Sequence, residues 1–356
     1  MNPVSKIKKL MVDFFSGLFN LEARINKTKF IRKAFVALYL YRRAILPLDH
    51  LNELAKEIPL HLYLFSTPEI HKSNDWYGAA RTLKKYAGLG ENSIFKANIE
   101  HGLYSVKELF IQDSQSDLPV MITIGTQRAA FLSKNTNKKV YAIGPYIYYA
   151  DDIDQKKFEQ EKKRLGKNLL VFAVHSTGIS KVSYDINLLC KKIRKIGKDF
   201  DSVRVCLYWK DIEHGYTRFF KEQGFECVTA GYMLDPKFLS RLKTIIKLAD
   251  LTVSQDMGTH IGYCILFNKP HFIIGDGHSY SGSDKAELEL IKRGENSAGY
   301  KKIASAFTRL RSDVSSYQLN IVNQYWGINQ IKSPEEIRSI YETAEKLYAQ
   351  MKHKNV

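Results

Sequence analysis

The sequence predicts an α/β fold made of two Rossmann-like domains that face a cleft. From about residue 60 onwards, short runs rich in β-branched and aromatic residues alternate with segments of helical apolar spacing, as in strands followed by helices. A charged stretch at 151–167 divides this alternation into two series. The 356 residues exceed what one ordinary core needs and suit two α/β domains. We therefore expect two parallel sheets, with ligands beyond the carboxyl ends of their strands.

The elements follow in chain order from the same patterns. The first series predicts one amphipathic helix among apolar strands: a helix at Asp75–Ala87, and strands at Leu60–Phe65, Ser93–Ile99, Val120–Ile124 and Val140–Ile143. The second series predicts buried strands at Leu169–Val174, Val203–Tyr208, Cys227–Ala230, Leu251–Ser254 and His271–Ile274. Its helices are predicted at Gln155–Leu165, Tyr184–Ile196, Tyr216–Gln223, Pro236–Leu248 and Thr259–Phe267. The two series predict domains at 46–155 and 156–330.

A last amphipathic helix is predicted over Ser333–Lys352, within a C-terminal segment at 331–356. Ser333 stands three positions before Glu336, which is the spacing of a capping box. Pro334 occupies the first helical position, where its missing N–H has no cost. These residues together predict where the helix begins.

The first 45 residues form a basic amphipathic segment. The chain has a formal net charge of +17, and this segment holds ten lysines and arginines against Asp13 and Glu22. Apolar residues, among them Phe14, Phe15 and Phe19, recur at spacings of three and four. A basic helix with such a face is typical of helices that lie on anionic membranes, so we expect an anionic membrane surface as a partner. The alternative is a helix packed into the core with solvated lysines.

Composition excludes several other classes of protein. No run of about 18 apolar residues is present, so no membrane-spanning helix is expected, and the N-terminus lacks the pattern of a secretory signal. The sequence contains no recognised nucleic-acid-binding motif, so nucleic acid is not expected as a partner. The four cysteines form no CxxC pair, which favours buried reduced thiols over a zinc site.

The segment 251–274 is the most informative loop region. A predicted strand ends at Ser254, and Gly258 and Thr259 then open a predicted helix that continues with His260. A helix start offers unpaired N–H groups to an anion, Gly258 allows a phosphate to approach closely, and Thr259 is suited to cap the helix. His260 is suited to contact a phosphate or a ribose. The alternative is an ordinary strand–helix–strand unit with a structural cap.

Two further loops follow predicted strands and carry polar side chains. His175, Ser176 and Thr177 come directly after one strand, where hydroxyls and an imidazole suit phosphate binding, although serine and threonine also cap helices. Glu100 and His101 follow a strand of the first series. His101 titrates close to neutrality and suits a general base, with Glu100 orienting it or acting as the base itself. The alternative for His101 is a structural histidine at a strand end.

These loops resemble those of GT-B glycosyltransferases that build bacterial surface polysaccharide such as capsule and O-antigen. The resemblance covers about residues 95–275 and includes the turn at Asn268-Lys269-Pro270 and the histidine–glycine pair at 101–102. It implies that a nucleotide-sugar is bound by His175, Ser176, Thr177, Ser254, Gly258, Thr259 and His260. It further implies acceptor binding in the first domain, catalysis by His101 or Glu100, and a lipid-linked or polymeric glycan as acceptor.

The resemblance leaves the donor and some alternatives open. The family often has a glutamate on the donor helix to hold the ribose, and none stands between Ser254 and Pro270, so a CMP-, CDP- or UDP-linked donor is possible. Alternatives are a CDP-glycerol- or ribitol-type polyol-phosphate transferase, an epimerase of the same fold, and a non-catalytic scaffold. We expect a cytoplasmic protein at the inner face of the plasma membrane.

We expect neither a cofactor nor a metal. Carboxylates in a strand-end loop would be needed to hold a divalent ion against a diphosphate, and the predicted loops contain no paired aspartates of this kind. Asp151, Asp152 and Asp154 form a carboxylate cluster, but they fall in the predicted linker and are expected to be solvated.

Overall fold

The computed structural model describes residues 29–59, 69–104, 107–109, 116–177, 180–275, 277–282 and 285–354. The chain divides into two compact units, one comprising Met1–Ile45 and Pro59–Ser66 and the other Leu46–Ile58 and Thr67–Val356. The predicted apolar stripe within residues 1–20 and the predicted strand Leu60–Phe65 lie outside the described residues.

The smaller unit contributes one described helix, α1 (Lys29–Ala44). Phe35, Leu38, Tyr41 and Ile45 recur at spacings of three and four, and all four side chains are exposed. The helix therefore presents an apolar face along its described part. Arg42 and Arg43 stand in its last turn, where positive charge is favoured by the helix dipole.

The larger unit begins with a three-stranded parallel sheet in the order β1-β2-β3. Its strands are β1 (Ala97–Ile99), β2 (Val120–Thr123) and β3 (Lys139–Ala142). Helices α2 (Leu51–Ala55), α3 (Ala79–Tyr86) and α4 (Thr126–Asn135) belong to the same part of the chain, with 3₁₀ turns at Lys72–Gly78 and Tyr146–Tyr149. The helix predicted at Asp75–Ala87 begins only at Ala79, because the Tyr77 N–H donates to Met233 O at 2.6 Å rather than to a helical carbonyl.

The second sheet is parallel and five-stranded, in the order β7-β6-β4-β8-β9. Its strands are β4 (Asn168–Phe172), β6 (Ser202–Cys206), β7 (Glu226–Val228), β8 (Leu251–Ser254) and β9 (His271–Ile273). The associated helices are α5 (Gln155–Leu165), α6 (Ile186–Gly197), α7 (Trp209–Glu213), α8 (Tyr216–Glu222), α9 (Phe238–Lys247) and α10 (His260–Leu266). All residues of β4 and β8 are buried, as expected for central strands covered on both faces. The predicted pair of parallel α/β sheets is confirmed.

An antiparallel ribbon is the main departure from the predicted elements. β5 (Ser180–Tyr184) pairs with β10 (His278–Gly282), from Ser180 opposite Gly282 to Tyr184 opposite His278. The helix predicted from Tyr184 therefore begins at Ile186, with the Asp185 carboxylate accepting from Leu188 N at 3.0 Å as its cap. Tyr184 belongs to the strand because it pairs with His278. That partner lies about a hundred residues later in the chain, so the local sequence pattern does not indicate it.

The C-terminal part of the chain returns to the first sheet. Its helices are α11 (Lys285–Asn296), α12 (Ala298–Ser305), α13 (Ser316–Trp326) and α14 (Pro334–Lys354). The Tyr341 ring of α14 contacts Phe95 edge-on at 5.4 Å between centroids, and Arg338 donates to Ala87 O. Ser333 and Glu336 exchange the two hydrogen bonds of the predicted capping box, at 3.2 and 2.7 Å.

The four cysteines are buried and unpaired, as predicted. Within the described ranges, no helix combines the length and apolar character that crossing a membrane requires.

Candidate functional site

A cleft of about 330 Å³ lies between the carboxyl ends of the two parallel sheets. Its walls come from the loops that follow β1, β4, β6 and β8, with Tyr280 of β10 at one side. This is where side chains meet in an open parallel α/β fold. The predicted cleft and its position at the strand-to-helix loops are thus present in the structure.

His101 enters the cleft from the first sheet. Its ring meets Trp76 edge-on at 4.3 Å between centroids, and Nδ1 lies 3.1 Å from the hydroxyl of Tyr104. Burial lowers the pKa of His101 to about 4, so the imidazole is neutral at pH 7. A neutral ring is able to accept a proton, as a general base must, although a low pKa also makes it a weaker base.

Glu100, the neighbouring candidate, points into the protein and does not line the cleft. Its carboxylate accepts three hydrogen bonds from Arg128 of α4, at 3.0 and 3.1 Å from Nε and 2.6 Å from Nη2. Both side chains are almost completely buried. A carboxylate held in this way positions α4 against the loop after β1.

The loop after β4 separates its three candidate residues. His175 is exposed in the cleft and packs on the ring of Tyr208 at 4.4 Å. Ser176 is fully buried, with its N–H donating to Asp211 and its hydroxyl accepting from Val182 N at 3.2 Å. The Thr177 hydroxyl accepts from Ser180 N at 2.9 Å. Ser176 and Thr177 therefore shape the loop and lie outside the cleft lining, whereas His175 faces the cleft.

The loop after β8 places three of its four candidates in the cleft wall: Gly258, Thr259 and His260. Ser254 is instead buried, and its hydroxyl donates to Asp256 O at 2.7 Å and contacts His271 Nε2 at 3.0 Å. His260 stacks on Phe172 at 4.4 Å and covers Gly258, because a Cβ on Gly258 would lie 2.7 Å from the His260 ring. Gly258 is thus required for the packing of His260.

His260 is the most unusual polar group of the cleft. Burial lowers its pKa to about 3, with His175 adding a smaller effect in the same direction. Its Nε2 is buried, and no hydrogen-bond partner for it is found among the described residues. A buried polar atom without a partner costs free energy, which a ligand atom in the cleft would recover.

Thr259 joins the two sides of the cleft. The Leu103 N–H, from the loop after β1, donates to Thr259 Oγ1 at 3.0 Å. The Thr259 carbonyl accepts from Trp326 Nε1 at 2.9 Å, and the Trp326 ring covers Gly262 so closely that a Cβ there would collide with it. The expectation that Thr259 caps the helix is wrong, because its backbone is already helical and its hydroxyl is used across the cleft.

Several cleft residues, among them Tyr77, Asp256 and Tyr280, were not singled out by the sequence as site residues. The hydroxyls of Tyr77 and Tyr208 lie 3.4 Å apart, and Tyr77 adopts a left-handed backbone conformation with φ of 59°. Behind the cleft lining, the buried Asp211 accepts a hydrogen bond from Ser176 N; burial raises the pKa of Asp211, and the nearby His175 opposes this rise. Asp256 and Tyr280 complete one wall. Tyrosines and aspartates are too common in loops for the sequence alone to identify those that line the cleft.

The aspartates of the predicted linker are ion-paired rather than simply solvated. Asp151 contacts Lys85 and Lys237, each at 2.7 Å. Asp152 contacts Lys243 at 3.1 Å and Lys247 at 2.7 Å, and Asp154 caps α5 by accepting from Lys157 N. The linker is therefore attached to α9, which carries Lys243 and Lys247 and begins directly after Lys237.

Comparisons with known proteins give only remote likenesses. No family model and no curated protein matches the chain. A UDP-GlcNAc 2-epimerase from Neisseria meningitidis is similar over 76% of this chain and 73% of its own, at 13% identity and a TM-score of 0.36. The wall teichoic acid polymerase TagF is similar over 73% and 69%, at 10% identity and a TM-score of 0.39. The pneumococcal O-GlcNAc transferase GtfA is similar over 76% and 54%, at 13% identity and a TM-score of 0.30.

Proposed function

We propose that the protein transfers a sugar from a nucleotide-sugar donor to a hydroxyl group of a lipid-linked or polymeric glycan during synthesis of a surface polysaccharide. One observation carries the proposal: imidazoles from both sheets meet in a single cleft, His101 on one side and His175 and His260 on the other. Such a cleft offers a proton acceptor and groups for a phosphate from opposite walls.

The donor is assigned to the wall formed by the loops after β4 and β8. Gly258, Thr259 and His260 lie beside the diphosphate in this assignment, and His175 from the loop after β4 belongs to the same wall. The buried, partnerless Nε2 of His260 supports it, since a neutral imidazole N–H is able to donate to a phosphate oxygen without the cost of burying a charge. Fixed donors aimed at the departing phosphate stabilise its growing charge.

The acceptor is assigned to the wall that carries His101. The neutral imidazole takes the proton of the attacking hydroxyl, while Tyr104 and Trp76 fix the orientation of the ring. We expect the two walls to close over the bound substrates, which would exclude water and so limit hydrolysis of the donor.

We further propose that the protein acts at an anionic membrane surface. The exposed apolar side chains Phe35, Leu38 and Tyr41 of α1 support this, because they share the helix with Arg42, whose side chain is also exposed. Lipid-linked acceptors are found at the same surface.

A thermal-shift measurement with UDP, GDP, CMP and CDP tests the donor assignment. A nucleotide at 100 times its dissociation constant should stabilise the folded protein by about 2.7 kcal/mol. Gly258→Val should abolish this shift, because its side chain would displace the His260 ring. Gly90→Val, at an exposed glycine outside the cleft lining, is the matched control and should keep the shift.

The nucleotide that shifts the melting temperature also separates the alternatives. A response confined to CDP would favour transfer of a polyol phosphate. If no nucleotide changes the melting temperature, the transferase proposal fails and a non-catalytic scaffold becomes the better explanation.

A further inference from the structure

Three potential metal ligands from separate segments meet at one edge of the cleft. Asp256 comes from the loop after β8, His278 from the first residue of β10 and Glu295 from α11. The His278 Nε2 lies 3.3 Å from Asp256 Oδ2 and 3.6 Å from Glu295 Oε1. The three ligand atoms all lie within 4.8 Å of one another.

The spacing of these atoms fits an ion better than direct hydrogen bonds. An N–H···O bond to a carboxylate is about 2.7–2.9 Å long, shorter than both distances from His278. Around an ion with bonds of about 2.1 Å, tetrahedral ligand atoms lie about 3.4 Å apart. The distances of 3.3 and 3.6 Å from His278 Nε2 are close to that value.

Neighbouring side chains hold two of the three ligands in place. The hydroxyl of Tyr300 donates to Asp256 Oδ1, which leaves Oδ2 facing His278. The His278 ring packs edge-on against Tyr280 at 5.2 Å. Metal ligands are commonly oriented by such outer partners, and this orientation affects affinity strongly.

We propose that Asp256, His278 and Glu295 bind a divalent transition-metal ion, Mn²⁺ or Zn²⁺. An imidazole suits transition metals, and carboxylates suit Mn²⁺ and Zn²⁺ as well as Mg²⁺, so the mixed set selects against Mg²⁺. The side chains of Asp256 and His278 are 18% and 12% exposed, and that of Glu295 is 36% exposed. The site is therefore open enough for an ion to enter and to keep water ligands.

The location of the ion site is next to the loop assigned to the donor diphosphate. Asp256 lines the cleft and stands two residues before Gly258, in the loop assigned to the donor diphosphate. A diphosphate oxygen would replace a water ligand, so ion and nucleotide should strengthen each other's binding. The ion site itself does not depend on the proposed function, whereas this mutual effect does.

Mn²⁺ binding to the full chain tests the site directly. Electron paramagnetic resonance reports free Mn²⁺, so a titration gives the dissociation constant without any assay of activity. We expect saturable binding of one ion, displaced by Zn²⁺, which binds nitrogen and oxygen ligands more tightly than Mn²⁺ does. His278→Ala and the milder Glu295→Gln should each raise the dissociation constant at least tenfold, and Tyr300→Phe about tenfold.

Glu289→Gln is the matched control, because Glu289 lies exposed on the same helix as Glu295 and the change in charge is identical. Its Mn²⁺ affinity should equal that of the unmodified chain. Equal affinity of the Glu295→Gln and Glu289→Gln proteins would overturn the site, as would the absence of saturable binding of either ion. In that case the three side chains meet only through the contacts of His278 with the two carboxylates.

Adding UDP or CDP to the titration separates this inference from the proposed function. Nucleotide binding without Mn²⁺ binding refutes the ion site alone. Mn²⁺ binding that responds to the His278, Glu295 and Tyr300 substitutions, in a chain that binds no nucleotide, supports the ion site and refutes the donor assignment.

Discussion

The buried ion pair between Glu100 and Arg128 gives the sharpest prediction. Glu100→Gln removes the carboxylate charge while keeping nearly the same volume, so Arg128 remains buried without its counter-charge. The Arg128 guanidinium still donates to Glu108 O at 2.7 Å and lies over the Tyr104 ring at 4.7 Å, so it is not free to turn outwards. The substitution should therefore act on stability.

The size of the stability loss in Glu100→Gln follows from the burial of the Glu100–Arg128 pair. Removing one partner of a buried ion pair costs about 3–5 kcal/mol of stability. Because the amide oxygen of glutamine still accepts a hydrogen bond from Arg128, we expect a cost at the lower end, about 3 kcal/mol. A cooperative unit of about 300 residues has an unfolding entropy of about 0.6 kcal/mol per degree. The melting temperature should thus fall by about 5 °C.

Thermal unfolding followed by circular dichroism measures this change. Glu91→Gln is the control, because it removes the same charge from a pair with Arg81 whose side chains are 94% and 52% exposed. Exposed pairs contribute at most about 1 kcal/mol, so this control should melt within about 2 °C of the unmodified chain. An unchanged melting temperature in Glu100→Gln, together with a large loss of turnover, would refute the structural role and restore Glu100 as the base.

Two further predictions concern the acceptor side and the membrane. His101→Ala should lower turnover about 100- to 10,000-fold while leaving the nucleotide-induced thermal shift intact, because His101 lies on the wall opposite the donor loops. Near-normal turnover would make His101 a structural residue. Residues 1–20, which lie outside the described residues, should confer flotation with anionic vesicles and little with neutral ones, since each basic residue near the surface adds about 1 kcal/mol. Their deletion should release the protein with nucleotide binding preserved; aggregated protein, and no lipid preference of the intact chain, would contradict the membrane proposal.

Local patterns predicted the central elements well. The predicted bounds of α5 and β8 agree with the structure. Asp154 caps α5 through a hydrogen bond from Lys157 N, three residues later, and β8 is a four-residue segment that is buried throughout, so each pattern lies within a few residues. His101, His175, Gly258, Thr259 and His260 were found as cleft residues for the same reason: they lie in loops or at helix starts that follow predicted strands.

The elements and site residues that the sequence did not predict depend on contacts between residues far apart in the chain. Glu100 looked like a catalytic carboxylate because Arg128, 28 residues later, is invisible to a local pattern. β5 pairs with a strand near residue 280, and its five residues alone do not outweigh the helical pattern that follows. Asp256, His278 and Glu295 come from a loop, a strand and a helix, so a search for paired aspartates cannot find them. Ser176 and Ser254 were placed at the donor because a hydroxyl in a loop looks the same whether it faces a ligand or the protein.

The contact between Trp326 and Gly262 restricts how this chain can diverge during evolution. A glycine in the middle of a helix costs about 1 kcal/mol relative to alanine, which alone would favour its replacement. Here the indole occupies the space of the missing Cβ, and its N–H holds the carbonyl of Thr259 at the edge of the cleft. An alanine at 262 is therefore acceptable only after Trp326 has become smaller, and that first step frees Thr259. We expect the two positions to change together in descendants of this sequence, and lineages that keep the tryptophan to keep the glycine.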